Sequence, residues 1–476
     1  MSSKREECGV FGIFGDPDAA QKAYFGLHSL QHRGQESAGI ASSDGEQIIC
    51  YTGMGQVSRV FRSSRNFIEK LTNPMAIGHV RYSTTGSSSP VNAQPFLSEF
   101  SRGQVAVAHN GNIINASLLR DEYEAYGHIF KSTNDTEIII HLMAKPTHVT
   151  KADPLGHVLN HLQGAYSLIF LFPDRIEAAR DPFGIRPLCL GQTPEGAYCV
   201  ASETCAFDAI GAKYIREIQP GEIVTINKKG VSSRFFVEPG TVTPAHCIFE
   251  HVYFSKQSSI IFGENAHEVR KKCGAQLAKE YPVEADVVVP VPDSGTSAAI
   301  GYSTHSGIPF DMGFVRSHYV GRSFLAPSQS LRDLAVKLKL TVVKEVVKGK
   351  RVVVVDDSVV RGTTTKGKIN SLKEAGAKEI HMRVACPPIT HPCFYGVDFP
   401  TKKELLASSM DMNQIKDFLG VDSIGYLSLD GMLSCVSLPA DHYCHACWSG
   451  KYRLPVSTVV NKFTNERFQM QLFDED

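Results

Sequence analysis

A chain of 476 residues exceeds what one hydrophobic core usually organises, so two or three domains are expected. Its 42% hydrophobic and 21% charged content is that of a globular enzyme, with 49 basic residues balancing 49 acidic ones. That balance, without a long basic run, argues against nucleic acid as the main partner, and no apolar stretch reaches the length of a membrane helix.

The polar start, MSSKREE, lacks the apolar core of a signal peptide, so the expected location is cytoplasmic. In that compartment the twelve cysteines should be thiols. Cys50, Cys189, Cys199, Cys205, Cys273 and Cys435 sit among apolar residues and read as small buried hydrophobes. Cys8, Cys247, Cys393, Cys444 and Cys447 fit that reading less well.

From Cys8 to about Thr241 short alternating runs (CGVFGIFG, GQVAVAHNGN, GAYSLIFLF, QPGEIVTI) are broken by Gly, Pro, Asn and Asp. This spacing predicts layered β-structure with helices near AAQKAYFGLHSLQHRG and DTEIIIHLMAK. Taken alone, Cys8 reads as packing at a strand start, Arg81 as half of a surface ion pair, and His109-Asn110-Gly111-Asn112 as a type I′ hairpin. A tight turn would also present one amide N–H well, so a hairpin and a functional site are compatible there.

Five motifs in order, EECGVFGIFG, QHRGQESAGI (31–40), GHVRYSTTG (78–86), AHNGNI (108–113) and STNDTEII (132–139), resemble class II glutamine amidotransferase domains of the N-terminal-nucleophile type. The resemblance implies an α+β domain of αββα layers over residues 8–240, with residues 1–7 a propeptide. It implies Cys8 as nucleophile, Asn110 and the N–H of Gly111 as oxyanion hole, Arg81 for the α-carboxylate of glutamine and Asp135 for its α-ammonium. The chemistry agrees, since amide hydrolysis needs a thiolate, a base and oxyanion donors. An α-amine freed at Cys8, with an ordinary pKa near 8, can be that base.

A linker is predicted at Glu238–Pro244, and a second domain over 241–476. HCIFEHVYFSKQSS and a helix lead to ADVVVPVPDSGTSAAIG (285–301), a buried strand ending in a Ser/Gly/Thr loop. Ser294 in that loop, taken alone, reads as a helix cap. RSHYVGRSFLAPSQSLRD (316–333), with three arginines, suits a mobile lid or a solvated face.

The most informative segment is RVVVVDDSVVRGTTTKG (351–367). Four consecutive valines predict a parallel strand buried on both faces, with Asp356 and Asp357 at its carboxyl end, where open α/β sheets bind ligands. A loop of Ser358, Arg361, Gly362, Thr363, Thr364 and Thr365 follows, then a helical pattern closing near Gly376. Backbone N–H groups and hydroxyls at a helix N-terminus suit a phosphate monoester. Adjacent carboxylates suit ribose hydroxyls and a hydrated Mg²⁺, so a phosphorylated sugar is the expected ligand.

The segment resembles the signature of type I phosphoribosyltransferases, which bind 5-phosphoribosyl 1-diphosphate (PRPP). The resemblance implies an α/β domain with a parallel sheet. Asp356 and Asp357 would hold the ribose hydroxyls, Arg361 to Thr365, with Gly362, Thr363 and Thr364 among them, would wrap the 5′-phosphate, and Ser358 would also bind PRPP. Ser294 would join Asp356 and Asp357 in the Mg²⁺ shell, and the YVGR segment would be the lid.

Cys444 and Cys447 form C-x-x-C, a redox pair or half of a zinc or iron–sulfur site. No thioredoxin-like unit surrounds it. Cys247, Cys393 and Cys386 are available to complete a four-thiolate site, and spacing does not separate zinc from [4Fe–4S].

From Cys8 to about Pro455 the chain resembles the cluster-containing amidophosphoribosyltransferase family. That implies a structural [4Fe–4S] cluster on Cys247, Cys393, Cys444 and Cys447. It implies glutamine hydrolysis, internal passage of ammonia, and amination of PRPP to 5-phosphoribosylamine with release of pyrophosphate, the first committed step of purine biosynthesis. Purine nucleotide inhibitors and a homo-oligomer, a tetramer or dimer, are implied as well. Other glutamine amidotransferases carry isomerase or ATP-cleaving partners in place of DDSVVRGTTT. A PRPP-sensing regulator would not need Cys8. The tail after Pro455, ending FDED, is expected to be frayed or to pack between subunits.

Overall fold

The computed structural model describes residues 8–62, 68, 71–82, 88–316, 340–397, 399 and 401–455. The propeptide expected at 1–7, residues 83–86 of GHVRYSTTG, the expected lid beyond Arg316 and the tail after Pro455 lie outside the described residues.

The alternating runs of the first half become two antiparallel sheets. The first orders its strands β11 (Lys213–Glu217), β9 (Cys189–Gln192), β10 (Tyr198–Ala201), β1 (Gly9–Phe14), β4 (Met75–Arg81), β2 (Ser37–Ser43) and β3 (Ile48–Met54). The second runs β13 (Gly230–Phe235), β12 (Glu222–Asn227), β8 (Arg175–Arg180), β7 (Gly164–Phe172), β6 (Gly103–Ile113) and β5 (Phe96–Phe100).

The two-residue period of β1 explains the layering. Val10 and Phe14 point between the sheets, where they meet Ala106, Ile169 and Ala178. Phe11 and Ile13 point outward under the helix Ala19–Ser29, against its Ala20, Ala23 and Leu27. Across the other sheet Val105, Val107 and Leu168 pack on the helices Ala116–Ala125 and Glu137–Ala144. Both sheets are therefore buried on both faces, giving the expected αββα stack. Each fully buried Val, Leu, Ile or Phe contributes roughly 1.5–3 kcal/mol as an upper bound.

After Glu238–Pro244 the chain docks back on the first half: Ala245 N donates to Phe183 O at 2.7 Å and Cys247 N to Ile185 O at 3.0 Å. Strand β14 (His246–Cys247) and the small hairpin of β15 (Ile260–Ile261) and β16 (Glu264–Asn265) precede the sheet of this half. That sheet is parallel throughout, ordered β17 (Val287–Pro290), β20 (Arg351–Asp356), β21 (Glu379–Val384) and β22 (Ser423–Tyr426). Val352 to Val355 are buried, as a strand between two parallel neighbours with both faces covered requires. Strands β18 (Phe314–Arg316) and β19 (Leu340–Val342) pair at the two ends of 317–339, and β23 (Tyr443–Cys444) pairs with β14. The apolar core of this half also takes in Ile114, Ala165 and Ile185 from the first. No described helix is long and apolar enough to cross a membrane.

Candidate functional site

Cys8 immediately precedes β1 and is buried. Gly9 pairs with Val80 across β1 and β4, which sets Arg81 beside Cys8. The thiol donates to the Tyr82 carbonyl at 3.5 Å. Burial pushes its pKa up to about 11, against the pull of the Tyr82 bond and the Arg81 charge, with Asp135 and Glu36 adding to the rise. Arg81, Asp135 and Glu36 therefore all act on the thiol although they come from separate segments.

Arg81 is buried and holds Glu36 at 2.6 Å rather than making a surface ion pair. Asp135 accepts from Ile113 N at 2.9 Å and stands 3.7 Å from His109 Nδ1. Burial works to raise its pKa, yet His109, the Ile113 N–H and Arg81 outweigh it and hold the carboxyl below the ordinary range. Asp135 is thus ionised inside the protein.

Asn110 and Gly111 differ from the hairpin reading. They lie inside the eleven-residue strand β6, opposite Ser167 and Tyr166 on β7, with no chain reversal between them. Glycine is needed for another reason. Its φ is +147°, and a Cβ there would collide with the carbonyl oxygen of Ala165. Asn110 Nδ2 donates to Ser202 Oγ at 3.4 Å, and the same hydroxyl accepts from Val10 N at 3.0 Å, so Asn110 reaches the strand that Cys8 opens.

Sequence reasoning missed Glu36 and Arg33, both within QHRGQESAGI, a motif quoted only as a whole. Arg33 is fully buried; its Nε donates to Cys8 O at 3.0 Å, and its terminal nitrogens hold Glu250 at 2.7 and 3.0 Å. Glu203 accepts from Arg33 Nη1, from Ser259 Oγ at 2.6 Å and from Lys256 N at 2.9 Å, and Arg186 reaches Glu250 at 3.3 Å. Burial alone would raise the Glu203 pKa, but His32 and Arg33 hold it far below the ordinary value. His32, Glu203 and Cys205 bring three possible metal-ligand atoms within 4.8 Å of one another.

In the second half Asp356, Asp357 and Ser358 are all buried at the carboxyl end of β20. Lys368 Nζ lies 3.3 Å from Asp356, and Ser358 Oγ donates to Asp357 at 2.6 Å. Gly362, at φ +73°, caps the helix Thr363–Glu374. Thr363 to Thr365 are therefore the first helical turn and not loop, which puts orphan helix N–H groups where the loop was expected. Thr363 and Thr364 are exposed, and Arg361 is paired with Glu404 at 3.2 Å. Gly376, at φ +91°, follows the C-cap Ala375.

Ser294 joins this group through its neighbour. A Cβ on Gly295 would collide with the Val355 carbonyl oxygen and meet Asp356 Cα at 3.2 Å, so the β17 loop rests on the end of β20. At the base of 317–339, Arg316 pairs with Asp293 at 2.6 Å.

The pairing of β14 with β23 sets Cys247 against Cys444, and Cys447 follows in the helix Ala446–Ser449. Tyr395 N donates to Cys393 Sγ at 3.3 Å. These four thiols line one cavity with Phe249, Tyr395, Val397 and Phe399. Cys386 is not among its lining residues; its thiol donates to the Pro387 carbonyl at 3.3 Å. Burial pushes the Cys444 thiol up to about 12 and Cys447 well above its ordinary value.

Comparison with known proteins agrees with this geometry. Residues 79–209 match the glutamine amidotransferase domain family, and residues 264–405 the phosphoribosyl transferase domain family. A chloroplastic amidophosphoribosyltransferase of Glycine max is 51% identical over 94% of this chain and 78% of its own length. The amidophosphoribosyltransferase of Bacillus subtilis is 46% identical over 94% of each. Among solved structures, that of the allosteric regulatory enzyme of purine biosynthesis superposes with a TM-score of 0.89 at 45% identity, covering 95% of this chain and 97% of the other. The glutamine PRPP amidotransferase of B. subtilis, complexed with ADP and GMP, gives 0.89 at 44%, covering 95% and 99%. With both domains matched in order and nearly the whole length aligned, this chain belongs to the amidophosphoribosyltransferase family.

Proposed function

We propose that the two ends of this molecule run two halves of one reaction: glutamine hydrolysis at Cys8, and amination of PRPP at the Asp356–Thr365 segment. The observation that carries this reading is the convergence on Cys8 of Arg81, Asp135 and Glu36 from three separate segments, in a chain that also builds a buried acidic pair beside a helix N-terminus.

The domains are 8–240 and 241–476, and removal of residues 1–7 frees the α-amine of Cys8. That amine takes the thiol proton, which burial otherwise holds tightly. The thiolate attacks the glutamine amide carbon. Asn110 Nδ2 and the Gly111 N–H bind the oxyanion, Arg81 the α-carboxylate and Asp135 the α-ammonium. The α-ammonium of Cys8 returns its proton to the amide nitrogen, the C–N bond breaks and ammonia leaves, and water then hydrolyses the thioester to glutamate, restoring the thiol. In the second domain the ammonia lone pair attacks C1 of PRPP, the C1–O bond breaks and pyrophosphate departs, leaving 5-phosphoribosylamine.

Asp356 and Asp357 accept from the ribose hydroxyls. Arg361, Gly362, Thr363 and Thr364 donate to the 5′-phosphate, which the helix N-terminus favours, and Ser358, bonded to Asp357, completes the PRPP-binding segment. Asp356, Asp357 and Ser294 are hard oxygen donors and fit a hydrated Mg²⁺. Lys368 already offsets Asp356, and Arg270 bears on Asp357, so much of the binding charge for the ion must come from pyrophosphate. When bound, Mg²⁺ neutralises the leaving group.

The four-thiol cavity fits a [4Fe–4S] cluster on Cys247, Cys393, Cys444 and Cys447. Zinc also accepts four thiolates, and membership of the family whose likeness implies a cluster favours [4Fe–4S] here. The four thiols share their cavity with Phe249, Tyr395, Val397 and Phe399. The cluster would tie β14 to β23. A cytoplasmic location stays part of the proposal, since twelve cysteines in a chain of this length suit a reducing compartment. Purine nucleotides as feedback inhibitors are supported by the B. subtilis relative's complex with ADP and GMP. A homotetramer is proposed from family membership.

Cys8→Ala tests the reading: glutamine-dependent pyrophosphate release should vanish while ammonia-dependent release persists. Loss of both would mean the half-reactions are assigned to the wrong domains.

A further inference from the structure

The outer helical layer of the first domain holds a cluster that neither half-reaction uses. His148 belongs to the helix Pro146–Val149, His157 to the helix Pro154–Leu159, and His161 follows one turn after His157. Their ring centroids form a triangle with every side 4.8 Å. One possible ligand nitrogen from each lies within 4.8 Å of the others, and the group contains no carboxylate.

We propose that His148, His157 and His161 form a three-nitrogen site for a divalent transition metal, with zinc the expected ion. Two of the rings are already oriented as ligands. His148 Nδ1 is 3.0 Å from the Leu142 carbonyl oxygen and His161 Nδ1 is 2.8 Å from the His157 carbonyl oxygen. A carbonyl only accepts, so each Nδ1 carries the proton and each Nε2 presents its lone pair. An outer hydrogen bond of this kind fixes the tautomer and ring direction of metal-binding histidines.

The geometry is close to what zinc requires. Tetrahedral coordination with Zn–N of about 2.0–2.1 Å places ligand nitrogens roughly 3.3 Å apart, a small rotation from the present arrangement. His157 in the helix and His161, two residues past its end, supply a pair whose ring centroids lie 4.8 Å apart. His148 is buried and His161 exposed, so the fourth position faces solvent for a water or a small exogenous ligand.

The surroundings select the ion. Lys145 acts on His148 and Lys151 on His157, both repelling cations. Binding must then come from nitrogen donation, which suits zinc, nickel and copper and disfavours Mg²⁺ and Ca²⁺. Such an ion would join the two helices across residues 150–153 and hold them to Leu142, near the end of the helix that begins just after Asp135. It is therefore a clamp on the layer behind the glutamine site, not a participant in the chemistry.

The test uses the full-length, cluster-loaded enzyme, kept anaerobic and titrated with ZnCl2 by calorimetry, with zinc and iron counted after gel filtration. The expected result is one zinc per chain with iron content unchanged, a rise in melting temperature with zinc, and binding at least about tenfold weaker in His161→Gln and in His157→Ala. His161→Gln changes an exposed residue and keeps the fold in play. Failure of wild-type protein to retain zinc, or equal zinc binding by the His157→Ala/His161→Ala double variant, would overturn the site. Zinc uptake matched by iron loss would also overturn it, since the ion would then occupy the cysteine cavity.

Discussion

Arg33 joins the two halves of the chain at Cys8, the proposed nucleophile: its Nε donates to the Cys8 carbonyl at 3.0 Å while its terminal nitrogens grip Glu250 at 2.7 and 3.0 Å. All three residues are buried. Glu250, at the start of the second half, is shared with Arg186, and Glu203 closes the network through Arg33, Ser259 and Lys256. A buried pair with one partner removed leaves an uncompensated charge, which costs about 3–5 kcal/mol. Glu250→Gln should therefore lower the unfolding free energy by an amount in that range, read as a lower midpoint in urea at unchanged slope. It should also depress glutamine-dependent turnover more than ammonia-dependent turnover, because Arg33 loses its anchor. An unchanged midpoint would mean the network is decorative.

Gly111→Ala should abolish use of glutamine. The φ of +147° and the adjacent Ala165 carbonyl leave no room for a methyl group, so β6 must shift and carry the Asn110–Gly111 amides with it. Ammonia-dependent activity and far-UV circular dichroism, measured together, separate this from unfolding. Full retention of glutamine activity would remove Gly111 from the site.

Acid should destabilise the first domain through His79. Burial, with Arg81 and His109 nearby, lowers its pKa from 6.5 to about 3, against a bond to the His109 carbonyl. The unfolded chain binds the proton first. The stability that neutral His79 contributes is fully present above pH 6.5 and is lost as pH falls towards 3, at up to about 1.4 kcal/mol per pH unit. In His79→Gln the slope of stability against pH over that window should be shallower; an identical slope would clear His79.

Removing the proposed cluster should brighten Trp448. It is the only tryptophan, it follows Cys447, and its ring lies 5.6 Å from Phe249, a wall of the thiol cavity. Iron chelation after reduction should raise its emission and lower the unfolding temperature together. Emission unchanged on loss of the brown colour would place the iron elsewhere.

What the sequence made legible follows from where each signal resides. The run Val352–Asp357 could be read directly, because a strand buried on both faces leaves a continuous apolar run and its ligand groups sit at one end. The four-thiol set was readable only in part. Spacing marked Cys444 and Cys447, while separating Cys393 from Cys386 depends on which thiol faces the cavity, a tertiary property. Asn110–Gly111 was misleading, since the dipeptide that favours a hairpin also permits an unusual φ inside a strand. Arg33 was invisible as a functional residue. Its partners Cys8, Glu203 and Glu250 are scattered along the chain, and only packing of the two halves brings them together.

The most direct test of the whole account is the stoichiometry of processed wild-type enzyme given glutamine, PRPP and Mg²⁺ with its metallocentre intact. Glutamate and pyrophosphate should appear in equal amounts. Glutamate formed without pyrophosphate, or no pyrophosphate with either glutamine or ammonia as nitrogen donor, would contradict it.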